Sequence, residues 1–224
     1  MNQQTNQTPI QRALLIPTGV HIRAAADGEP ESRTITGRAI LFGQRSAALW
    51  DDGEERAYEI IDKSAITREL LDKSDIKFNL YHDNQHLLAR SNQGQGTLRY
   101  DVDDTGVTFE FDAPNTIDGD TALELVRRGD ITGCSFAFTV PYWDTDYVSR
   151  EVVHTDGGKV EILYTVRAVK GVHDMSLVVN PAYPDTHAEL RELMHKAQEP
   201  DAPEDTTWRE QIEEMQRAAK TYDN

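Results

Sequence analysis

The sequence predicts a mainly β fold with peripheral helices, in the form of a closed or strongly curved antiparallel β-barrel. Three observations lead there. Short β-branched and apolar runs recur from residue 12 to residue 180, two pairs of them are joined by tight-turn sequences, and only two or three intervening stretches carry helical spacing. In chain order, the polar residues 1–11 read as a disordered arm, and RALLIPTGVHIRA and RTITGRAILFGQ read as strands separated by the turn segment DGEPES. In IIDKSAITRELLDKSD, Asp62 is placed to cap a short helix whose Ile66 and Leu70 lie four residues apart on one face. IKFNLYHD follows as a strand with Ile76, Phe78, Leu80 and His82 on one face, running into a loop, DNQHLLARSNQGQG.

The clearest local structure is a hairpin. Leu98, Tyr100 and Val102 alternate, DDTG turns, and Val107, Phe109 and Phe111 alternate back. GDTALELVRRGD reads as a helix with Asp120 near its start and Gly129 beyond its end, delivering the chain to the strand ITGCSFAF. A second hairpin turns at Asp156, Gly157 and Gly158, and VHDMSLVVN is the last strand before Pro181. Beyond Pro184 two capping-box patterns, Thr186 with Glu189 and Thr207 with Glu210, mark two C-terminal helices joined by the linker QEPDAPED. The expected division is therefore an arm over 1–11, a β-barrel domain over 12–186 and an acidic helical tail over 187–224. From His187 onward ten acids face five bases, which suits solvated helices or a docking segment for another protein.

The chain of 224 residues carries 39 acids and 23 bases, a net charge of -16. Such a balance repels phosphate backbones and anionic membranes, so no nucleic-acid or membrane partner is expected. Cys134 is the one cysteine, so no intramolecular disulfide forms, in keeping with a reducing compartment. No run reaches the ~20 apolar residues of a membrane span, and the polar start MNQQTNQTPIQ lacks the pattern of a secretory signal. A cytosolic, unsecreted protein is the expectation.

Acyl-transfer chemistry needs a nucleophile, a base, a group that fixes the base and donors for an oxyanion. His82, with a free pKa near ~6.5, is the candidate base, against the alternative of a core histidine bonded to a carbonyl. Ser135 is the candidate nucleophile, sharing a strand face with the small Ala137 and with Thr139, opposite Phe136 and Phe138; it does not sit in a G-x-S-x-G elbow. Taken alone, it also fits a structural serine in a crowded strand. For the third member, Asp174 aligns with Val172, Ser176 and Val178, and the adjacent His173 with Met175, Leu177 and Val179; either can orient His82. Arg90 and the amides of Leu88 to Ser91 are candidate oxyanion donors. His82, Asp83 and His86 also form an H-D-x-x-H pattern suggestive of a metal-dependent hydrolase, but no further ligand cluster accompanies it, and neither metal nor cofactor is expected.

The order of these pieces resembles a known family. TITGRAILFGQRS, YEIIDKSAI, FNLYHDNQHLLARS, GTLRYDVDDTGVTFEFDAP, GDITGCSFAF and VHDMSLVVNPAYPDT together are similar to the tailed-bacteriophage prohead maturation proteases, serine peptidases that share a fold with the herpesvirus assemblins. The resemblance covers roughly residues 12–190. It implies an assemblin-type barrel and an endopeptidase with Ser135 as nucleophile and His82 as base. The third position, usually glutamate in the family, is Asp174 here, and His173 is the substitute, since the herpesvirus relatives use a second histidine. It further implies action inside the procapsid in the host cytoplasm, on scaffold and major-capsid-protein segments, together with self-cleavage and homodimerisation. The alternative is a non-catalytic scaffold or capsid-assembly protein of the same lineage, working through its acidic tail.

Overall fold

The computed structural model describes residues 10–13 (backbone only), 19–25, 31–46, 48–142, 144–155 and 158–179. They form fourteen strands and two short helices: β1 Ile10–Ala13, β2 Val20–Ile22, β3 Thr34–Leu41, β4 Trp50–Asp51, β5 Glu55–Ile61, α1 Arg68–Lys73, β6 Asp75–Leu80, β7 Asp83–Asn92, β8 Gln95–Gly96, β9 Arg99–Asp103, β10 Gly106–Asp112, α2 Ile117–Arg128, β11 Gly133–Thr139, β12 Val148–His154, β13 Val160–Val166 and β14 Gly171–Val178. The tail over 187–224, with its two expected helices, and the turn residues Asp156 and Gly157 lie outside the described residues. Of the expected arm, only Ile10 and Gln11 are described, and they begin β1.

A mainly β architecture is present; of the expected closed or strongly curved antiparallel barrel, closure is not found among the described residues. The strands make three sheets in the orders β1-β11-β14-β6-β7-β8, β2-β3-β10-β9 and β12-β13-β5-β4. Two pairings are parallel, β14 with β6 and β13 with β5. They have one topological origin. The chain passes from the third sheet to the first twice in the same sense, once from β5 to β6 and once from β13 to β14, so the two passages run alongside each other. Edges therefore remain open among the described strands instead of being absorbed by closure.

One core serves all three sheets. Phe78 of β6 meets Phe109 and Phe111 of β10 with ring centroids 4.5 and 4.6 Å apart, fastening the first sheet to the second. These rings are buried, and each contributes about 1.5–3 kcal/mol through burial alone. The hairpin β9–β10 follows its alternation, with Asp103 Oδ1 accepting from the amides of Thr105 and Gly106 across the turn.

Two local expectations are corrected. Asp62 does not cap α1; its carboxylate closes a turn with the Ser64 amide and hydroxyl, and Thr67 caps the helix by accepting from the Leu70 amide at 3.2 Å. The preceding residues Glu55–Ile61 are strand, because Ala57, Glu59 and Ile61 are buried in alternation. The segment read as a loop after His82 is the ten-residue strand β7; bulges opposite Phe78 and Asn79 break its period of two, which hid it. α2 matches its pattern more closely. Thr116 caps its first turn, Asp118 and Asp120 lie in that turn, and Gly129 ends it at φ 76, a left-handed value that suits glycine.

Candidate active site

The site is built on the first sheet, where β14 lies between β11 and β6. Residues directly opposite one another in neighbouring strands carry their side chains on the same face, with Cα atoms about 4.5–5.5 Å apart. Ser176 of β14 is opposite Ser135 of β11 on one side and Asn79 of β6 on the other. Two residues back along β14, Asp174 shares that face and pairs with Ala137 and Lys77. The opposite face holds Phe136, Met175, Leu177, Phe78 and Leu80, all buried.

His82 reaches this polar face by a turn. Leu80 and Asp83 are register partners, so Tyr81 and His82 are the two-residue loop of the β6–β7 hairpin. Both have positive φ, 56° and 59°, the signature of a primed turn normally filled by Asn-Gly. For non-glycine residues each such conformation costs roughly 1 kcal/mol or more. Bonds to β14 offset it: the Tyr81 amide donates to the Leu177 carbonyl at 3.0 Å and the His82 amide to the Ser176 hydroxyl at 3.1 Å. The expectation that His82 continues the apolar face of β6 is thus corrected. The left-handed pair turns it away from Phe78 and Leu80.

The ring is then fixed. His82 Nδ1 lies 2.6 Å from Asp174 Oδ1, with both side chains 13% exposed. An ionised carboxylate only accepts, so Nδ1 carries a proton and donates it, leaving Nε2 of the neutral ring with a free lone pair. That is the tautomer a general base requires. Ser176 Oγ donates to the same Asp174 oxygen at 3.0 Å. Ser135, opposite Ser176, is 1% exposed on the strand next to the pair. The adjacent Cys134 is fully buried on the other face, and burial pushes its thiol up from its ordinary value.

Other residues singled out from the sequence lie elsewhere. His173 occupies a bulge: Ala137 pairs with Asp174 and Phe138 with Val172, which leaves His173 without an opposite residue and moves Val172 to the core face. The alignment of Val172 with Asp174 is therefore broken. His173 Nε2 is 2.6 Å from Thr139 Oγ1, and partial burial lowers its pKa, favouring the neutral ring. Arg90 is forked onto Asp75 at 2.7 and 2.8 Å, and its amide donates to Thr97 Oγ1. Its strand stands three strand spacings, about 14 Å, from that of Ser135. The guanidinium expected at an oxyanion is therefore engaged with Asp75, three strands away from that of Ser135. His86 Nδ1 bonds to Asp118 Oδ1 at 2.9 Å, so the two histidines of the H-D-x-x-H pattern bind different carboxylates. Among the described residues no group of three or more His, Cys, Asp or Glu side chains is placed to hold a metal ion.

Ser176 and Asn79 had not been marked as site residues. The spacing of Ser176 from Asp174 was visible, but the turn that brings the His82 amide onto it was not. Asn79 is wholly buried, its Nδ2 donating to Asn84 Oδ1 at 3.2 Å and its Oδ1 accepting no hydrogen bond among the described residues.

A histidine bonded to a largely buried carboxylate, with a serine on the adjoining strand of the same face, is the kind of arrangement that serine hydrolases use. Residues 20–199 match the Caudovirus prohead serine protease family, and the chain belongs to that family of serine peptidases. No curated protein and no solved structure matches the chain. No helix among the described residues is long and apolar enough to cross a membrane.

Proposed function

We propose that the chain is a serine endopeptidase that cuts scaffold and major-capsid-protein segments, and its own chain, during procapsid maturation in the host cytoplasm, acting as a homodimer. Ser135 is the nucleophile, His82 the general base and Asp174 the group that holds it. The observation that supports this reading is the 2.6 Å contact between His82 Nδ1 and Asp174 Oδ1 on the face that Ser135 shares through its pairing with Ser176. His82 Nε2 takes the Ser135 hydroxyl proton as Oγ forms a bond to the scissile carbonyl carbon. The tetrahedral oxyanion collapses, the C–N bond breaks, and His82 returns the proton to the leaving amine. Water then hydrolyses the acyl ester by the same route, with Asp174 stabilising the imidazolium in each half-reaction.

The test is intact-mass analysis of the wild-type chain and Ser135→Ala, each coexpressed with the major capsid and scaffold proteins of the phage that supplies the chain. Discrete fragments of the chain or its partners from wild type, and none from the variant, are expected. Identical intact masses with normal assembly overturn the proposal in favour of a non-catalytic assembly protein.

A further inference from the structure

Ser176 is wholly buried and uses its hydroxyl in two directions. The oxygen accepts the His82 amide at 3.1 Å, and the proton goes to Asp174 Oδ1 at 3.0 Å, the same oxygen that takes the His82 ring proton at 2.6 Å. A closed circuit results, from the His82 backbone through Ser176 and Asp174 to the His82 ring. One hydroxyl thereby satisfies a part-buried amide held in a left-handed turn and fixes the rotamer of the carboxylate beside it.

We propose that Ser176 is a positioning residue for the base, resting on the proposed roles of His82 and Asp174. It holds the backbone of His82 and the carboxylate that grips its ring at one shared point, so neither can shift without the other. The circuit ties the histidine-bearing turn to β14 and directs Oδ1 at the ring.

The experiment uses the full chain with Ser176→Ala and Ser176→Thr, and three readouts. These are kcat and KM on a peptide spanning a mapped cleavage junction, the low-field proton resonance of His82 Nδ1–H, assigned by its loss in His82→Gln, and the circular dichroism of the fold. Ser176→Ala is expected to lower kcat about 10- to 100-fold, the range of a hydrogen bond to a charged group, with KM within about twofold. It is also expected to shift or broaden the low-field resonance. Ser176→Thr, which keeps the hydroxyl, is expected to recover most of both. A folded Ser176→Ala with kcat within about threefold of wild type and an unmoved resonance overturns the proposal. If the threonine variant fails to fold, the alanine variant's resonance decides alone. If wild type cleaves nothing, the peptidase reading fails, while the resonance still reports whether Ser176 positions the His82 ring.

Discussion

Replacing Asp174 by asparagine tests the pairing of His82 with Asp174 against the alternative that His173 orients the base. The His82 Nδ1 to Asp174 Oδ1 distance is 2.6 Å, which puts the centres of an imidazolium and a carboxylate about 4 Å apart. With both side chains 13% exposed, an effective dielectric of about 20 is appropriate, and the attraction is about 4 kcal/mol. It exists in full only when the ring is charged, as the tetrahedral intermediate forms, so its loss lowers kcat and leaves substrate binding largely alone. At 1.36 kcal/mol per decade, Asp174→Asn should slow turnover about 10³-fold. An amide can also offer Nδ1 its NH2 and favour the wrong tautomer, which adds to the loss. The assay is turnover of a fluorogenic peptide spanning a mapped junction, with circular dichroism to establish that the variant is folded. His173→Ala is the control: its ring contacts Thr139, so turnover should fall less than tenfold. An Asp174→Asn enzyme within tenfold of wild type, or a His173→Ala enzyme as damaged as Asp174→Asn, refutes the assignment.

Other expectations concern stability and reactivity. Arg38, forked on both oxygens of Asp103 at 2.9 Å, together with the Thr105 hydroxyl and amide, holds the Asp103 carboxyl well below the usual range. Its stabilisation is therefore complete above the unfolded pKa of about 3.9 and is lost as pH falls through the folded value. The pair is exposed and contributes under about 1 kcal/mol; thermal melts of wild type and Asp103→Asn should differ at pH 7, the gap should narrow as pH falls below about 4, and a constant gap contradicts the linkage. Burial of the Cys134 thiol predicts no alkylation by iodoacetamide in the native chain and full alkylation in urea, read by mass; native labelling refutes it. Phe78→Ala removes the ring between Phe109 and Phe111 and should cost about 3–5 kcal/mol in denaturant unfolding; a loss under 1 kcal/mol shows that the sheets are fastened elsewhere.

Elements with an undisturbed period were legible from the chain alone. The β9–β10 hairpin, α2 and the strand bearing Ser135 needed only alternation, helical spacing and a terminal glycine. What escaped was set by tertiary pairing. β7 loses its period at two bulges, and Asp62 is equally good at capping a helix and closing a turn. Tyr81-His82 lacks the Asn-Gly of a primed turn, so nothing local marked the hairpin that reverses the direction of His82. His173 and Asp174 could not be ranked from the sequence because the bulge that separates them arises from pairing with β11. Closure of the barrel was also beyond local pattern, since it depends on which strands become neighbours and in which sense.

The position of β14 has a consequence for when the site comes into being. It is the last of the described strands, yet it stands between the strand of Ser135 and the strand leading to His82, and it carries both groups that hold the histidine. A nascent chain that has emerged as far as residue 170 has already made its serine and its histidine but has nothing to hold them in register. Parallel pairing of β14 with β6 spans roughly a hundred residues and is intrinsically late and slow. Activity is thereby tied to completion of the domain: the fold itself delays a peptidase until the strand that holds its histidine has been made.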